Sequence, residues 1–353
     1  MTLPVLNVLL VEDEDVNIET WQDQVSIHNA DADKTGFRIE SSFAKSVAEG
    51  KNKLRSGHYD AVVVDLRLQL EPGVAEQNDH GNEFVKYVIS SVPAGVVIYT
   101  GQRAEATDYG CPQVQIMDKG DGLQPVFAWL TEQKDLLLSI RSAKETFDRE
   151  MAKIFFKSIW PRWKHLTETL KGAELTGMVS RHVVAHVHDS LLDTDEDGAH
   201  FEEWYFVPPL RARLDTGDLV LKDNEVWIVV TPRCDLAHEG KTATILIAKC
   251  LDISGEWQEA EKAGKLTGKL KELARHKNSP KLHFLVPLRD SKGDTRGPWL
   301  VNFDTLLALP AEAGFAELTP TRFASLAPQF VPSLVERFGA YFSRIGTPAL
   351  SIE

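Results

Sequence analysis

The sequence predicts an α/β protein in three parts: a doubly wound parallel sheet first, a long helical linker next, and a mixed α+β domain last. Three observations carry this. Residues 1–125 alternate short, continuously apolar runs with helical intervals, as strands buried on both faces do. From Pro125 apolar residues recur at spacings of three and four through Leu170, the helical repeat. Beyond Asp218, short apolar runs separated by turn residues give a strand-rich texture. A length of 353 residues suits two or three domains. The expected divisions are 1–128, 129–172 and 173–353.

The elements follow in order. Val5 to Val11 is a first strand, and Val16 to His28 a helix. Phe37 to Phe43 is a second strand, and Ser46 to Ser56 a helix anchored by Val47 and Leu54 and closed by Gly57. A third strand ends at Asp65. Arg67 to Gly81, with Pro72, Gly73, Asn78 and Asp79, is a long connection, read either as a partner-contact loop or as a tolerated surface insertion. A helix from Asn82 to Ser91 precedes the strand Val96 to Tyr99, and a last strand runs through Val114-Gln115-Ile116.

Four of the five strands lead into the polar residues of interest. Glu12 and Asp13 follow the first, Asp65 the third and Thr100 the fourth, and Lys119 comes shortly after the fifth. Parallel sheets present ligand sites at the carboxyl ends of their strands, so these groups converge on one crevice. Three packed carboxylates call for a hard cation such as Mg²⁺. A lysine and a hydroxyl beside that cation suit a phosphoryl group, whose oxygens need neutralising.

This pattern resembles the receiver (CheY-like) domain of bacterial response regulators, over roughly the first 130 residues. The resemblance implies a flavodoxin-like fold and two-component phosphorelay signalling. It makes Asp65 the phosphoacceptor, taking a phosphoryl group from a sensor histidine kinase or a small phosphodonor. Glu12, Asp13, Asp65 and the backbone carbonyl of Arg67 would hold Mg²⁺. Lys119 would pair with the phosphoryl oxygens, Thr100 would report the phosphorylated state, and Gly101 is small enough to admit the group. Two positions depart from the family: Ile116 stands where an aromatic is usual, and Gly120 where proline is usual. Arg67 and Gln102 occupy positions that tune phosphoryl lifetime.

The helical run Trp129 to Leu170 far exceeds the mean helix of about 11 residues, and Pro161 must kink or break it. It is read as a homodimer seam or as two packed helices. A further helix covers Leu175 to Leu192. Strands are expected at Asp218 to Leu221, Glu225 to Thr231, Ala243 to Lys249, Lys281 to Leu288 and Trp299 to Phe303. A charged helix spans Trp257 to Lys277, and an amphipathic helix spans Thr321 to Arg344.

The C-terminal candidates each lack something. Asp193, Asp195, Asp197 and Gly198 open like a calcium loop, but Trp204 stands where the bidentate glutamate belongs. His182, His186, His188 and Asp189 crowd one helix and could take a transition metal with Cys234 or His238; a packed or solvated cluster is the ordinary reading. Asp218 and Glu225 flank a strand somewhat as in metal-dependent nucleases, but the expected lysine is Trp227. Lys262, Lys265, Lys269, Lys271, Arg275, His276 and Lys277 form a basic stretch diluted by Glu256, Glu259, Glu261 and Glu272.

Composition narrows the classes. With 39 Lys and Arg against 52 Asp and Glu, the net charge is -13, so nucleic acid is not the favoured partner. Three scattered cysteines form no disulfide framework, and no apolar run reaches the ~18 residues of a membrane span. A cytoplasmic protein is expected. The function expected is a response regulator whose Asp65 phosphorylation switches a C-terminal domain that binds an unknown protein partner. The alternative is a phosphorylation-gated enzyme or nucleic-acid effector of bacterial stress or phage-defence systems.

Overall fold

The computed structural model describes residues 3–343 apart from 72, 74–77, 112, 193–198, 239, 275–279 and 291–292. Two compact units divide the chain, Met1–Thr194 and Asp195–Glu353.

The first unit is built on β1 (Val5–Val11), β2 (Arg38–Ala44), β3 (Ala61–Val64), β4 (Gly95–Thr100) and β5 (Val114–Asp118). They form one parallel sheet in the order β2-β1-β3-β4-β5. This is the doubly wound order whose crevice lies where the connections reverse, between β1 and β3. Its helices are α1 (Asp15–Ala30), the single turn α2 (Ala32–Thr35), α3 (Val47–Ser56), α4 (Asn78–Ser91) and α5 (Gln124–Ile154). The strands read as unbroken apolar runs because both faces are covered. Leu6, Val8, Leu10, Val63 and Val97 pack with Trp21 of α1 and with Phe127 and Leu130 of α5. Leu9, Val11, Val62, Val64 and Ile98 pack with Val47 and Leu54 of α3 and with Phe84 and Val88 of α4.

Local signals place the ends. Ser46 caps α3, its hydroxyl accepting from the Glu49 amide at 3.2 Å. The long connection after Asp65 is partly structural. Leu66 and Leu68 are fully buried, and the Gln69 and Leu70 carbonyls accept from the Val47 and Ala48 amides at the start of α3. Helix α4 begins four residues earlier than expected, at Asn78. Between β4 and β5 the described residues hold one short turn, Arg103–Glu105, and no α-helix.

The helical region folds back on itself. α5 ends in a wide turn at Phe155–Ile159 and a tight turn at Trp160–Arg162 around Pro161, followed by α6 (Trp163–Thr169). Gly172, at φ 54°, opens α7 (Gly172–Leu192). α7 runs antiparallel along α5, with His182 beside Ser158 at 3.2 Å and Ser190 donating to Glu150 at 3.0 Å. The compact N-terminal unit therefore extends to Thr194 and includes a helix that the sequence groups with the C-terminal part.

The second unit begins with β6 (Tyr205–Phe206), β7 (Asp218–Lys222), β8 (Glu225–Val229), the short turn α8 (Arg233–Leu236) and β9 (Thr244–Asp252). Asp223 and Asn224, at φ 54° and 61°, make the tight turn joining β7 to β8. The expected charged helix is two, α9 (Ser254–Lys262) and α10 (Leu266–Ala274), because Gly264 breaks it at φ 65°; Arg275, His276 and Lys277 lie outside the described residues. β10 (Leu282–Leu285), β11 (Leu288–Arg289), β12 (Thr295–Arg296), β13 (Trp299–Pro310), α11 (Ala311–Leu318), β14 (Arg322–Leu326) and α12 (Val331–Phe342) follow. The expected terminal helix from Thr321 is thus a strand and then a helix, since Arg322–Leu326 pairs with β7 and Pro332 sits at the start of α12. A seven-stranded sheet, β10-β13-β9-β8-β7-β14-β6, antiparallel throughout its pairings, carries α12 on one face and α11 on the other.

Candidate functional site

The five residues singled out in the N-terminal sequence meet at the carboxyl edge of the parallel sheet. β1 delivers Glu12 and Asp13, β3 delivers Asp65, β4 ends in Thr100, and Lys119 follows β5 directly. One ligand atom from each of Glu12, Asp13 and Asp65 lies within 4.8 Å of the other two. Among the described residues this is the one such convergence of three or more metal-ligating side chains.

Lys119 bridges the acids, donating to Glu12 Oε2 at 2.7 Å and to Asp65 Oδ2 at 3.0 Å. The other Glu12 oxygen accepts from Asn17 Nδ2 at 3.1 Å and from the Glu14 amide at 3.3 Å. Asp65 Oδ1 accepts from the Leu66 amide at 2.7 Å, which fixes the carboxylate plane and leaves Oδ2 toward the lysine. Glu12 and Thr100 are buried, at 2% and 1% exposure. Burial pushes the Glu12 carboxyl above its ordinary value, against the opposing pull of Lys119 and Asn17. For Lys119, burial pulls the ammonium down, but Glu12 and Asp65 outweigh it and its pKa is raised. Lysine and carboxylates therefore form one mutually dependent charge cluster.

The surroundings leave room for a ligand. A side chain added at Gly101 would meet nothing within 4 Å, so the space beside Thr100 is open. The Thr100 hydroxyl accepts from the Gln102 amide at 3.2 Å. Lys119 sits in a short turn capped by Asp118, whose carboxylate accepts from the Gly120 amide at 2.7 Å. That turn needs the Gly120 N–H, which a proline there would lack.

Among the described residues the C-terminal candidates form no such cluster. Asp193, Asp195, Asp197 and Gly198 lie outside the described residues. His182 and His186 stack edge to face at 4.5 Å between ring centres, and His182 Nε2 faces Arg162 at 3.1 Å and Ser158 at 3.2 Å, so that nitrogen is engaged. Cys234 and His238 belong to the other compact unit. Asp218 is fully buried and structural: it accepts from Ser325 Oγ at 2.5 Å, the Asp215 amide at 2.7 Å and Arg322 at 3.3 Å. Glu225 pairs with Lys249 at 2.6 Å, and the hairpin register sets it opposite Lys222, at the far end of β7 from Asp218. That separation removes the nuclease-like pairing.

Sequence reasoning missed three groups that matter here. Asn17, one turn into α1, reaches back to Glu12. Gly81 lies against the Asp65–Leu66 peptide, and Asn82 next to it holds the β4–β5 connection. In the sequence Gly81 reads as the end of the long connection and Asn82 as the start of the helix, and the structure places both inside α4.

No family model matches the chain, and no curated protein matches it. Among solved structures, a receiver domain (CheY-like) from Methylobacillus flagellatus is similar at 20% identity, covering 36% of this chain and 98% of that one, with a TM-score of 0.27. The HemR receiver domain of Leptospira biflexa is similar at 23% identity, covering 36% and 92%, with a TM-score of 0.25. The response regulator TrrA of Thermotoga maritima, solved with Mg²⁺ and BeF, shares 17% identity over 36% and 97%, with a TM-score of 0.25. These likenesses concern the N-terminal part alone. By its strand order and by the acids at the crevice between β1 and β3, the N-terminal part of this chain has the doubly wound fold of response-regulator receiver domains.

Proposed function

We propose that this protein is a response-regulator-type switch whose Asp65 accepts a phosphoryl group with Mg²⁺ bound at Glu12, Asp13, Asp65 and the Arg67 carbonyl. The observation that carries the reading is the convergence of Glu12, Asp13 and Asp65 within 4.8 Å, with Lys119 bonded across it. The donor set, hard carboxylate oxygens, fits Mg²⁺. The cation would neutralise phosphoryl oxygens. Asp65 Oδ2 attacks phosphorus of a phosphohistidine or of an acyl phosphate, the bond to the donor breaks, and its electron pair leaves with the donor. The Leu66 amide keeps Oδ1 aligned, and Lys119, released from Asp65 as Oδ2 becomes the bridging oxygen of an acyl phosphate, turns to the phosphoryl oxygens. Thr100 offers its hydroxyl beside the open space at Gly101.

The output follows from the rest of the chain. The α5–α7 hairpin leaves Phe147, Met151, Phe156, Trp160 and Val184 exposed, which supports a homodimer in which a second hairpin covers them. The C-terminal unit acts by binding a protein partner. No helix among the described residues is long and apolar enough to cross a membrane.

Incubation with acetyl phosphate and Mg²⁺, read by intact mass, adds one phosphoryl group to the wild type and none to Asp65→Asn. Equal labelling of the two proteins sinks the assignment.

A further inference from the structure

The second compact unit gathers arginines in excess of the carboxylates that hold them. The turn from Asp215 to Asp218, where β7 begins, is buried, with Asp215 at 5% exposure. Its bonds are mostly internal to the fold. The Asp215 amide donates to Asp218 Oδ2 at 2.7 Å, the Asp218 amide to the Asp215 carbonyl at 3.1 Å, and the Thr216 hydroxyl to the Thr231 carbonyl at 2.6 Å. A fixed Asp215 side chain then meets two arginines. Arg233 Nε, at the start of α8, lies 2.9 Å from Oδ1, and Arg211 Nε, in the segment before β7, lies 3.1 Å from Oδ2.

One arginine fork satisfies a carboxylate. Here two arginines share it, each by Nε, and among the described residues the Nη groups of both have no hydrogen bond. Their side chains are half-exposed, so those forks are reachable from solvent. Arg213 stands two residues from Arg211, and its Nη1 is buried with no hydrogen-bond partner among the described residues. A buried charged donor calls for an acceptor. Arg322 of β14, by contrast, is fully engaged. Its guanidinium donates to the Arg211, Ala212 and Arg213 carbonyls at 2.9, 2.6 and 2.6 Å and to Asp218 Oδ2 at 3.3 Å. That clasp fixes the backbone carrying Arg211 and Arg213.

Four arginines against Asp215 and Asp218 leave an excess of two positive charges, in a chain whose net charge is -13. The nearby Asp235 is paired with Lys241 at 3.3 Å and does not offset it. A phosphate monoester carries about 1.5 to 2 negative charges at neutral pH and three acceptor oxygens. It matches both the excess and the free forks, whereas a carboxylate, with one charge, leaves half the excess unmatched.

We propose that Arg211, Arg213 and Arg233 form a binding site in the C-terminal unit for the dianionic phosphate of a phosphomonoester. Asp215 and Arg322 are positioning residues, which aim the arginines and do not touch the ligand. The site lies in a different compact unit from Asp65 and stands whether or not Asp65 accepts a phosphoryl group.

Calorimetric titration of the full chain without Mg²⁺ tests it. Adenosine monophosphate is the monoester probe, inorganic phosphate the ester-free dianion, and adenosine the probe that lacks phosphate. Adenosine monophosphate binds at one site per chain, inorganic phosphate competes with it, and adenosine does not bind. Arg211→Gln and Arg233→Gln each weaken binding by on the order of tenfold, as the loss of charge-assisted hydrogen bonds does, and Arg213→Gln weakens it too. Arg233→Lys keeps the charge but loses the fork, so it recovers only part of the affinity. Lys269→Gln, on α10, leaves binding unchanged, which separates the site from overall charge. Melting curves of each variant identify any folding defect, and Asp65→Asn binds as the wild type does. No binding of either phosphate probe at millimolar concentration, equal binding of adenosine, or wild-type affinity in all three glutamine variants overturns the site. Binding lost in Asp65→Asn moves the phosphate to the receiver crevice and overturns it as well.

Discussion

Replacing Lys119 by methionine removes the one side chain bonded to both Glu12 and Asp65. Breaking a buried pair by deleting one partner costs about 3–5 kcal/mol. Here the lysine side chain is 22% exposed and Asp65 retains the Leu66 amide, so solvent screening lowers the expected loss to about 2 kcal/mol near neutral pH. For a unit of this size that is a fall in Tm of about 4–8 °C. The loss depends on pH through Glu12, whose carboxyl burial already holds above 4.5. A carboxyl with a raised folded pKa contributes stability that is present below its unfolded value and lost as pH rises through the folded value. Without Lys119 the folded value rises further, so the deficit widens toward about pH 8 and narrows toward about pH 5. Mg²⁺ at the three carboxylates supplies the missing positive charge. Millimolar MgCl₂ therefore restores more stability to Lys119→Met than it adds to the wild type, the variant gaining about 2.7 kcal/mol where the cation reaches a hundredfold excess over its Kd. Calorimetric melts of the full chain at both pH values, with and without MgCl₂, measure all of this. An equal deficit at the two pH values, or no Mg²⁺ response in either protein, refutes the reasoning.

Other expectations follow from the same geometry. Arg141→Met removes the guanidinium that holds Asp60 by its Nε at 2.8 Å and by a second, shorter bond from Nη2; Asp60 keeps the Asn7 amide at 2.6 Å, and stability in urea titrations falls by about 2 kcal/mol. Gly81→Ala forces a methyl into the Asp65–Leu66 backbone, so it lowers stability by about 2 kcal/mol or more and slows acetyl phosphate labelling. Phe156 and Trp160 are 70% and 55% exposed, and Phe156→Ser with Trp160→Ser converts a dimer to a monomer in light scattering; a wild type that is monomeric with and without beryllofluoride excludes the hairpin interface. If the C-terminal unit acts by binding, activated protein leaves plasmid DNA, RNA and nucleotides intact, and metal-dependent cleavage or turnover overturns that; elemental analysis that finds a stoichiometric transition metal, lost in His186→Ala, makes the α7 histidine pair of the first unit a metal site.

Much of the first unit was legible because both faces of its sheet are buried. Val8–Val11, Ala61–Val64 and Val96–Ile98 had to be apolar at every position, so strands and their polar ends stood out, and Glu12, Asp13, Asp65, Thr100 and Lys119 were placed by strand ends alone. The C-terminal unit hid more. The second half of β13 is half-exposed, and Arg322–Leu326 adjoins an amphipathic run, so neither announces its partner. Asp218 looked chemical until the fold surrounded it with Ser325, Arg322 and the Asp215 amide, bonds made across more than 100 residues in the first two cases. The return of α7 along α5 depends on which apolar stripe finds which surface, and spacing alone leaves that open. The sequence by itself determined that the polar residues at three strand ends and a lysine after a fourth would share one crevice, because a parallel sheet allows no other place for them. Only tertiary structure decided that Lys119 would close the charge cluster and that Asn82 would tie the β4–β5 connection to the acceptor loop. Both depend on side chains brought together from separate connections, and no local propensity encodes such meetings.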